Sequence, residues 1–188
     1  SGKIKKSNKV YKQKAIFLDR DGVINVESDP IDTVKKFKLL PRVSEALKKI
    51  NKSIYLNVII TNQPIVAKGF ITEKELTTIH NYMEHIIGYD GAYFNRIYYC
   101  PHHPKKGFKG EVKKYKISCN CRKPGTKLLK TAEKEMNIDL KHSFFIGDRT
   151  VDIKTGNNAN MQTILVRQGF KGLDKKYECK PDFIFDDL

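Results

Sequence analysis

The stretch from Ala15 to Val23 constrains the fold more than any other part of this sequence. It reads AIFLDRDGV, a short apolar run that ends in two aspartates one residue apart, followed by a glycine. A buried strand of a parallel sheet has this pattern, and open α/β sheets bind ligands at the carboxyl ends of such strands. Residues alternate along a strand, so Asp19 and Asp21 are predicted to share one face, while Gly22 allows a sharp turn. Taken alone, the motif fits a solvated turn equally well, because short motifs often match by chance.

Strand and helix patterns alternate along the rest of the 188 residues. Strands are predicted at about 14–18, 56–60, 96–99, 144–146, 163–166 and, as a short edge strand, 183–185. Helices are predicted from Pro41 to about 51, from Thr72 to Gly88, at 126–136 and at 152–159, with a capping box between Thr72 and Glu75. Such alternation predicts an α/β fold with a three-layer, Rossmann-like parallel sheet. We expect one domain at 14–188, preceded by a flexible basic lead-in at 1–13.

The formal net charge of +15 is compatible with nucleic acid, acidic lipids or phosphorylated metabolites as partners. Few aromatic residues interleave with the N-terminal lysines, which disfavours nucleic acid. No stretch reaches the roughly 20 apolar residues of a membrane helix, and no signal peptide is visible, so a cytoplasmic protein is expected. The chain begins Ser-Gly rather than Met, as a segment of a longer protein would.

Polar residues follow three of the predicted strands and predict one shared site. They are Asp19 and Asp21, then Thr61 with Asn62, then Asp148 with Asp152 beyond it; Arg122 and Lys123 precede a helix. Strand ends of a parallel sheet face one crevice, where carboxylates suit Mg²⁺ and the hydroxyl, amide and lysine suit phosphoryl oxygens. This set supports phosphoryl transfer to Asp19, with Asp21 as acid and base, Lys123 neutralising charge and Asp148 completing the Mg²⁺ site.

Three of the four cysteines lie near a pair of histidines. Cys100 begins the run CPHHP, and Cys119 and Cys121 stand in CNCRKPG. This spacing offers four ligands for a tetrahedral, structural Zn²⁺ in a reducing compartment, and Cys179 is expected to be an ordinary thiol. The loop between the pairs is too polar to form a core, so the metal would supply its folding energy.

Together, four segments resemble the motifs of the haloacid dehalogenase superfamily. The segments are DRDGV from Asp19, TNQ from Thr61, Lys123, and GDRTVD from Gly147 to Asp152. The cysteine runs resemble a narrower group, the heptose 1,7-bisphosphate phosphatases and histidinol-phosphate phosphatases, which carry a small zinc loop, here 100–121, in place of a large cap.

The resemblance implies a role for each matching residue. Asp19 is the nucleophile and Asp21 the acid/base, and Mg²⁺ binds Asp19, the Asp21 carbonyl and Asp148. Thr61 and Lys123 contact the transferring phosphoryl group. Substrate contacts are implied for Asn62, Gln63, Arg122, Arg149 and the loop 27–30. The implied zinc ligands are Cys100, His102 rather than His103, Cys119 and Cys121.

The leading interpretation is a Mg²⁺-dependent phosphatase acting on the 7-phosphate of D-glycero-D-manno-heptose 1,7-bisphosphate. The alternatives are a histidinol-phosphate phosphatase, a polynucleotide 3′-phosphatase and a non-catalytic zinc-stabilised module. The small zinc loop is compatible with a monomer, and some of the wording resembles phosphatases fused to a sugar nucleotidyltransferase. His80, His85 and His142 are expected at the surface or on helix faces without carboxylate partners, and Arg20 receives no role.

Overall fold

The computed structural model describes residues 11–28 and 30–188, and within them six strands form one parallel sheet. The strands are β1 (Lys14–Leu18), β2 (Tyr55–Asn62), β3 (Arg96–Cys100), β4 (Phe144–Gly147), β5 (Gln162–Val166) and β6 (Phe183–Phe185). Their order across the sheet is β3-β2-β1-β4-β5-β6. The predicted parallel sheet is therefore confirmed, and the strand that precedes Asp19 lies inside it. Most of the predicted lead-in, residues 1–10, lies outside the described residues.

The described helices are α1 (Val43–Asn51), α2 (Glu73–Tyr89), α3 (Lys127–Glu135) and α4 (Thr150–Asn158), with short 3-10 turns at Val34–Lys36, Lys113–Tyr115 and Leu140–His142. The capping box at the start of α2 is confirmed. The Thr72 hydroxyl accepts a hydrogen bond from the Glu75 amide at 3.2 Å, and the Glu75 carboxylate accepts one from the Thr72 amide at 2.8 Å. Two otherwise unpaired donors at the helix start are satisfied in this way.

Two apolar clusters cover the two faces of the sheet. On β1, Leu18 belongs to a cluster with residues of α1 and α2, and its neighbour Phe17 belongs to a second cluster with Leu129 and Ala132 of α3. Both strand residues are fully buried, as alternation between two covered faces requires. The three-layer arrangement is confirmed.

Element ends differ from the predictions by a few residues. Strand β2 continues through Thr61 to Asn62, so these polar residues end the strand rather than follow it. Helix α1 begins at Val43 instead of Pro41, because Arg42 has a left-handed φ of 63° that a helix cannot contain. Helix α2 runs one residue past Gly88. Helix α4 begins two residues before Asp152.

His80 lies on a helix face, which is one of the two predicted positions. This face also carries Leu76 and Met83 and is buried, so His80 is only 5% exposed. The expectation that His142 has no carboxylate partner is wrong, because its Nδ1 lies 2.7 Å from Asp139 Oδ2. No helix among the described residues combines the length and apolar composition needed to cross a membrane.

Candidate active site

The turn after β1 sets two aspartates at the carboxyl edge of the sheet. Asp19 follows Leu18 directly, and Gly22 has a φ of 82°, a conformation that favours glycine. Its amide donates to the Asn25 carbonyl at 2.8 Å, which closes the turn. A Cβ on Gly22 would collide with the Asp148 carboxylate. The glycine predicted to permit a turn thus also lets the ends of β1 and β4 approach each other.

Lys123 lies between two carboxylates at this edge. Its Nζ is 2.8 Å from Asp19 Oδ1 and 2.6 Å from Asp152 Oδ1, and its side chain is 2% exposed. Burial alone would lower the pKa of Lys123, but the charges of Asp152 and Asp19 raise it above its ordinary value. The Lys123 amide donates to Asn62 Oδ1 at 3.0 Å, so the end of β2 fixes the backbone of this residue. The result is a permanent cation beside Asp19.

Asp19, Asp148 and Asp152 form a compact group of buried carboxylates. One oxygen of each lies within 4.8 Å of the others, and their exposures are 7%, 0% and 0%. Burial, together with the charges of neighbouring carboxylates, raises the pKa of Asp148 to about 8 and that of Asp152 to about 7. Asp148 Oδ2 accepts a hydrogen bond from the Phe170 amide at 2.7 Å, whereas its buried Oδ1 has no hydrogen-bond partner among the described residues. An unsatisfied carboxylate oxygen in an all-oxygen group fits a hard cation such as Mg²⁺.

Asp21 is held by three side chains. Arg20 donates to both carboxylate oxygens, Asn25 Nδ2 donates to Oδ1 at 3.0 Å, and Gln63 Nε2 donates to Oδ2 at 2.8 Å. Burial would raise the pKa of Asp21, but the charge of Arg20 and these hydrogen bonds lower it. Gln63 Nε2 also donates to Thr61 Oγ1 at 2.9 Å. Gln63 therefore connects the Asp21 carboxylate with the Thr61 hydroxyl, which is 1% exposed.

A cavity of about 640 Å³ opens above these groups. Its walls include all four residues predicted to contact substrate, Asn62, Gln63, Arg122 and Arg149. The Arg149 guanidinium lies 2.6 Å from Glu27 Oε1 and 3.7 Å from the centre of the Phe170 ring. Burial raises the pKa of Glu27 to about 7, although Arg149 opposes that shift. Ser28 and Pro30 also line the cavity, so most of the predicted loop 27–30 borders it; Asp29 lies outside the described residues.

A second ligand cluster lies beyond β3. Cys100, His102, Cys119 and Cys121 offer ligand atoms within 4.8 Å of one another. The sulfur–sulfur distances are 3.0 to 3.6 Å, and His102 Nδ1 is 3.1 Å from the Cys121 sulfur. All three cysteines are free, and sulfur atoms at these separations are not disulfide-bonded. Three thiols and one imidazole around one point fit a tetrahedral Zn²⁺.

The two neighbouring histidines face different surroundings. His102 joins the cysteines, whereas the His103 ring packs edge-on against Phe108 at 5.5 Å and lines the cavity. The structure thus brings together the four residues predicted as zinc ligands and leaves His103 out. Cys179 lies apart, with its sulfur 3.3 Å from the Thr150 carbonyl oxygen.

Sequence reasoning gave two members of this site no function. Asp152 pairs with Lys123, and its other oxygen accepts the Arg149 amide at 3.1 Å. Its position three residues after Arg149, in the first turn of a helix, is the signal that indicates a cap. Arg20 is 1% exposed between the two catalytic candidates. Its place between two aspartates, directly after a buried strand, was the available signal, because a buried arginine needs carboxylate partners.

Comparison with known proteins gives concordant results. The family model described as HAD-hydrolase-like matches residues 120–188. The D-glycero-beta-D-manno-heptose-1,7-bisphosphate 7-phosphatase of Haemophilus influenzae is 36% identical, covering 93% of this chain and 92% of that protein. The enzyme of the same name from Escherichia coli K12 is 34% identical, covering 93% and 89%.

A solved structure agrees with the sequence relatives. The D,D-heptose 1,7-bisphosphate phosphatase from B. bronchiseptica, complexed with magnesium and phosphate, superposes with a TM-score of 0.80 at 26% identity and covers 93% of each chain. Fold and sequence together define a hydrolase of the haloacid dehalogenase type, acting on phosphoric monoesters. Within that superfamily, the chain belongs to the D-glycero-beta-D-manno-heptose-1,7-bisphosphate 7-phosphatase family. The resemblance inferred from the motifs is confirmed.

Proposed function

We propose that this protein removes the 7-phosphate of D-glycero-D-manno-heptose 1,7-bisphosphate through a phosphoryl group carried on Asp19. The observation that carries the proposal is the contact of Asp19 Oδ1 with Lys123 at the base of the cavity. A carboxylate beside a buried, permanently charged ammonium can accept a phosphoryl group whose negative charge is neutralised at once. The named activity of the family members supports the choice of substrate.

The residues suggest a two-step reaction. Asp19 attacks phosphorus while the bond from phosphorus to the sugar oxygen breaks, and that oxygen takes a proton from Asp21. Because Arg20 and the other donors lower the pKa of Asp21, Asp21 first receives this proton from the incoming phosphate monoester or from water. A water molecule then attacks phosphorus, its proton passes to Asp21, and the bond from phosphorus to Asp19 breaks. Lys123 neutralises the charge of the phosphoryl oxygens in both steps, and Thr61 supplies a hydroxyl at the carboxyl end of β2. Asp152 keeps the Lys123 ammonium in place.

We assign the two ligand clusters to different metals. Asp19, Asp148 and the Asp21 carbonyl would hold Mg²⁺, and the unsatisfied Asp148 Oδ1 supports that assignment. When bound, Mg²⁺ supplies positive charge that polarises the phosphoryl group. Cys100, His102, Cys119 and Cys121 would hold a structural Zn²⁺, because four protein ligands leave no open position for chemistry.

A second group of cations in the cavity wall supports a substrate with two phosphates. Lys68 Nζ lies 5.0 Å from the Phe108 ring centre, and His103 packs on the same ring. Burial and the nearby charges of Arg122, Lys116 and Lys68 lower the pKa of His103. Lys68 and Arg122 are the cations of this group, and the His103 ring, whose lowered pKa favours its neutral form, lines the cavity with them. One cationic group can thus bind the phosphate that remains while Lys123 serves the phosphate that leaves.

The domain organisation that we propose is a single unit at 14–188. The first and last described strands, β1 and β6, belong to one sheet, and both apolar clusters draw residues from the two halves of the chain. The monomeric state, the fusion to a nucleotidyltransferase and the cytoplasmic location stay predictions.

The nucleophile is tested by Asp19→Asn. Phosphate release from heptose 1,7-bisphosphate should fall at least about 1,000-fold, because the amide cannot form the covalent bond. Asp90→Asn, at the exposed end of α2, is the matched control and should retain wild-type release. An Asp19→Asn protein with wild-type release would overturn the mechanism.

The substrate is tested with a panel and a variant. Heptose 1,7-bisphosphate should exceed histidinol phosphate and a 3′-phosphorylated oligonucleotide in kcat/KM by about tenfold or more, equal to about 1.4 kcal/mol. Lys68→Met should raise KM for the bisphosphate about tenfold and leave 4-nitrophenyl phosphate unchanged, while Lys68→Arg keeps the charge and serves as the control. A preference for histidinol phosphate or the oligonucleotide would replace the proposed substrate.

A further inference from the structure

Arg20 is the largest of the fully buried side chains in the described ranges 11–28 and 30–188, and it is charged. Its guanidinium forms a forked contact with the next residue, Asp21. Nη2 donates to Oδ1 at 2.7 Å and to Oδ2 at 3.0 Å, and Nε donates to Oδ1 at 3.1 Å. A planar guanidinium that contacts both oxygens fixes the plane of a carboxylate as well as its position.

The other side of the guanidinium rests on His80. Arg20 Nη1 lies 3.2 Å from His80 Nε2, and the His80 ring packs edge-on against Tyr99 with 5.7 Å between ring centres. Burial, and then the charge of Arg20, lower the pKa of His80 to about 3, so the ring is neutral and Nε2 can accept from Nη1. His80 belongs to α2, whose neighbouring residues Leu76 and Met83 are fully buried. The buried face of a 17-residue helix therefore supports the arginine.

We propose that Arg20 is a positioning residue for Asp21, and that His80 acts through Arg20 as its neutral support. The proposal rests on the proposed function, because it assigns to Asp21 the transfer of a proton to the leaving sugar oxygen. A proton moves efficiently only when donor and acceptor are held within hydrogen-bond reach in the correct direction. Asn25 and Gln63 each hold one oxygen of Asp21, whereas Arg20 holds both.

The effect of a variant on substrates with different leaving groups distinguishes a positioning role for Arg20 and His80 from a purely structural one. The sugar oxygen is a poor leaving group and needs the proton from Asp21, whereas 4-nitrophenolate leaves without one. A misdirected Asp21 should therefore slow the sugar phosphate far more than the aryl phosphate. Damage to the fold or to Lys123 should slow both substrates equally, and kcat/KM reports the step in which the leaving group departs.

The experiment compares His80→Leu with His80→Gln. Leucine removes the acceptor for Arg20 Nη1 but keeps an apolar side chain, while glutamine can place its Oε1 near the position of Nε2. His80→Leu should lower kcat/KM for heptose 1,7-bisphosphate about tenfold and for 4-nitrophenyl phosphate less than about threefold. The tenfold loss is a part of the roughly 100- to 10,000-fold that general acid catalysis contributes, because Arg20 and the other donors still hold Asp21. His80→Gln should restore both values to within about twofold of wild type. Equal losses on the two substrates, or no rescue by glutamine, would overturn the proposal.

Arg20→Lys tests the fork itself, because lysine keeps the charge but cannot contact both oxygens in one plane. The loss of kcat/KM on the sugar phosphate should be larger for Arg20→Lys than for His80→Leu, and full activity of Arg20→Lys would contradict the proposal.

A measurement that does not depend on activity is the ¹⁵N NMR signal of His80 in the wild-type protein. We expect the proton on Nδ1 and a hydrogen-bonded, unprotonated Nε2; a proton on Nε2 would contradict the Arg20 contact. A wild-type protein that hydrolyses neither substrate would refute the proposed function, while this spectrum would still decide the contact.

Discussion

The two ligand clusters of this protein are held in place by different means. The carboxylates Asp19 and Asp148 directly follow β1 and β4, which are neighbours in the sheet, and Asp152 lies in the first turn of α4. Hydrogen bonds between the strands and the apolar packing on both faces fix these positions. The carboxylate cluster is therefore built by the same interactions that fold the protein.

The cysteine cluster depends on a loop. Only Cys100 belongs to a strand, and between residues 101 and 120 only Pro101 and Lys116 are buried. The backbone contacts of this loop include His103 to Tyr115 at 3.1 Å and Val112 to Ala67 at 3.0 Å. Little apolar surface is available to hold the loop, so the proposed Zn²⁺ would contribute much of its order. The carboxylate cluster should therefore keep its arrangement without a metal, whereas the cysteine cluster should not.

The largest effect is expected when the Lys123 ammonium beside the carboxylate cluster is removed. Lys123→Met should lower kcat at least about 100-fold, because the charge beside the nucleophile is lost. It should also cost about 3–5 kcal/mol of unfolding free energy in the absence of divalent metal, since Asp19 and Asp152 stay buried without a partner. Urea denaturation and phosphate release measure the two effects.

A double variant separates stability from chemistry. Removing both partners of a buried pair costs much less than removing one, so Lys123→Met/Asp152→Asn should recover part of the lost stability. It should not recover activity, because no cation stands beside Asp19. Recovery of activity would show that Lys123 acts only to balance Asp152.

Removal of the loop metal should have an intermediate effect. Chelation of Zn²⁺, or Cys119→Ser, should make trypsin cleave at the exposed lysines of the loop, Lys105, Lys106, Lys109, Lys113 and Lys114. Activity should fall about tenfold rather than vanish, because Asn62 still anchors the Lys123 backbone when the Cys121 side is loosened. Cys179→Ser is the matched control and should leave both cleavage and activity unchanged.

The far-ultraviolet circular dichroism of the metal-free protein should stay close to that of the wild type, since the sheet does not depend on the loop. If chelation unfolded the whole domain, or left the rate of loop cleavage unchanged, the distinction between the two clusters would be lost.

Local patterns explain why much of this structure could be predicted. Strand β1 and the capping box of α2 depend on residues close in sequence, and the site motifs stand at strand ends, where topology alone brings them together. The contacts of Arg20 and Lys123 with their structural partners could not be predicted in this way. His80 is 60 residues from Arg20 and Asn62 is 61 from Lys123, so no local period reports these contacts.

His80 also shows which signal was overlooked. It lies four residues after Leu76 and three before Met83, and this spacing puts it on the buried face of α2. A histidine on an apolar face must be neutral or paired, and here it is neutral and contacts a buried arginine. The spacing could have placed His80 in the interior, but only the three-dimensional fold identifies Arg20 as its partner.

The smallest effect that we expect is the contribution of His80 to the pH dependence of protein stability. The pKa of His80 is about 3 in the folded protein, against 6.5 for an ordinary histidine. Between these values the unfolded chain binds a proton that the folded protein excludes. The contribution to stability is therefore fully present above pH 6.5 and is lost as the pH falls toward 3. At about 1.4 kcal/mol per pH unit, the wild type should lose about 2 kcal/mol more unfolding free energy than His80→Gln between pH 7.5 and 5.0.

His85→Gln, on the exposed face of α2, should behave like the wild type, and urea denaturation at the two pH values measures the stability of all three proteins. Equal losses in the wild type and His80→Gln would mean that His80 is protonated inside the fold, which would remove its lone pair from Arg20.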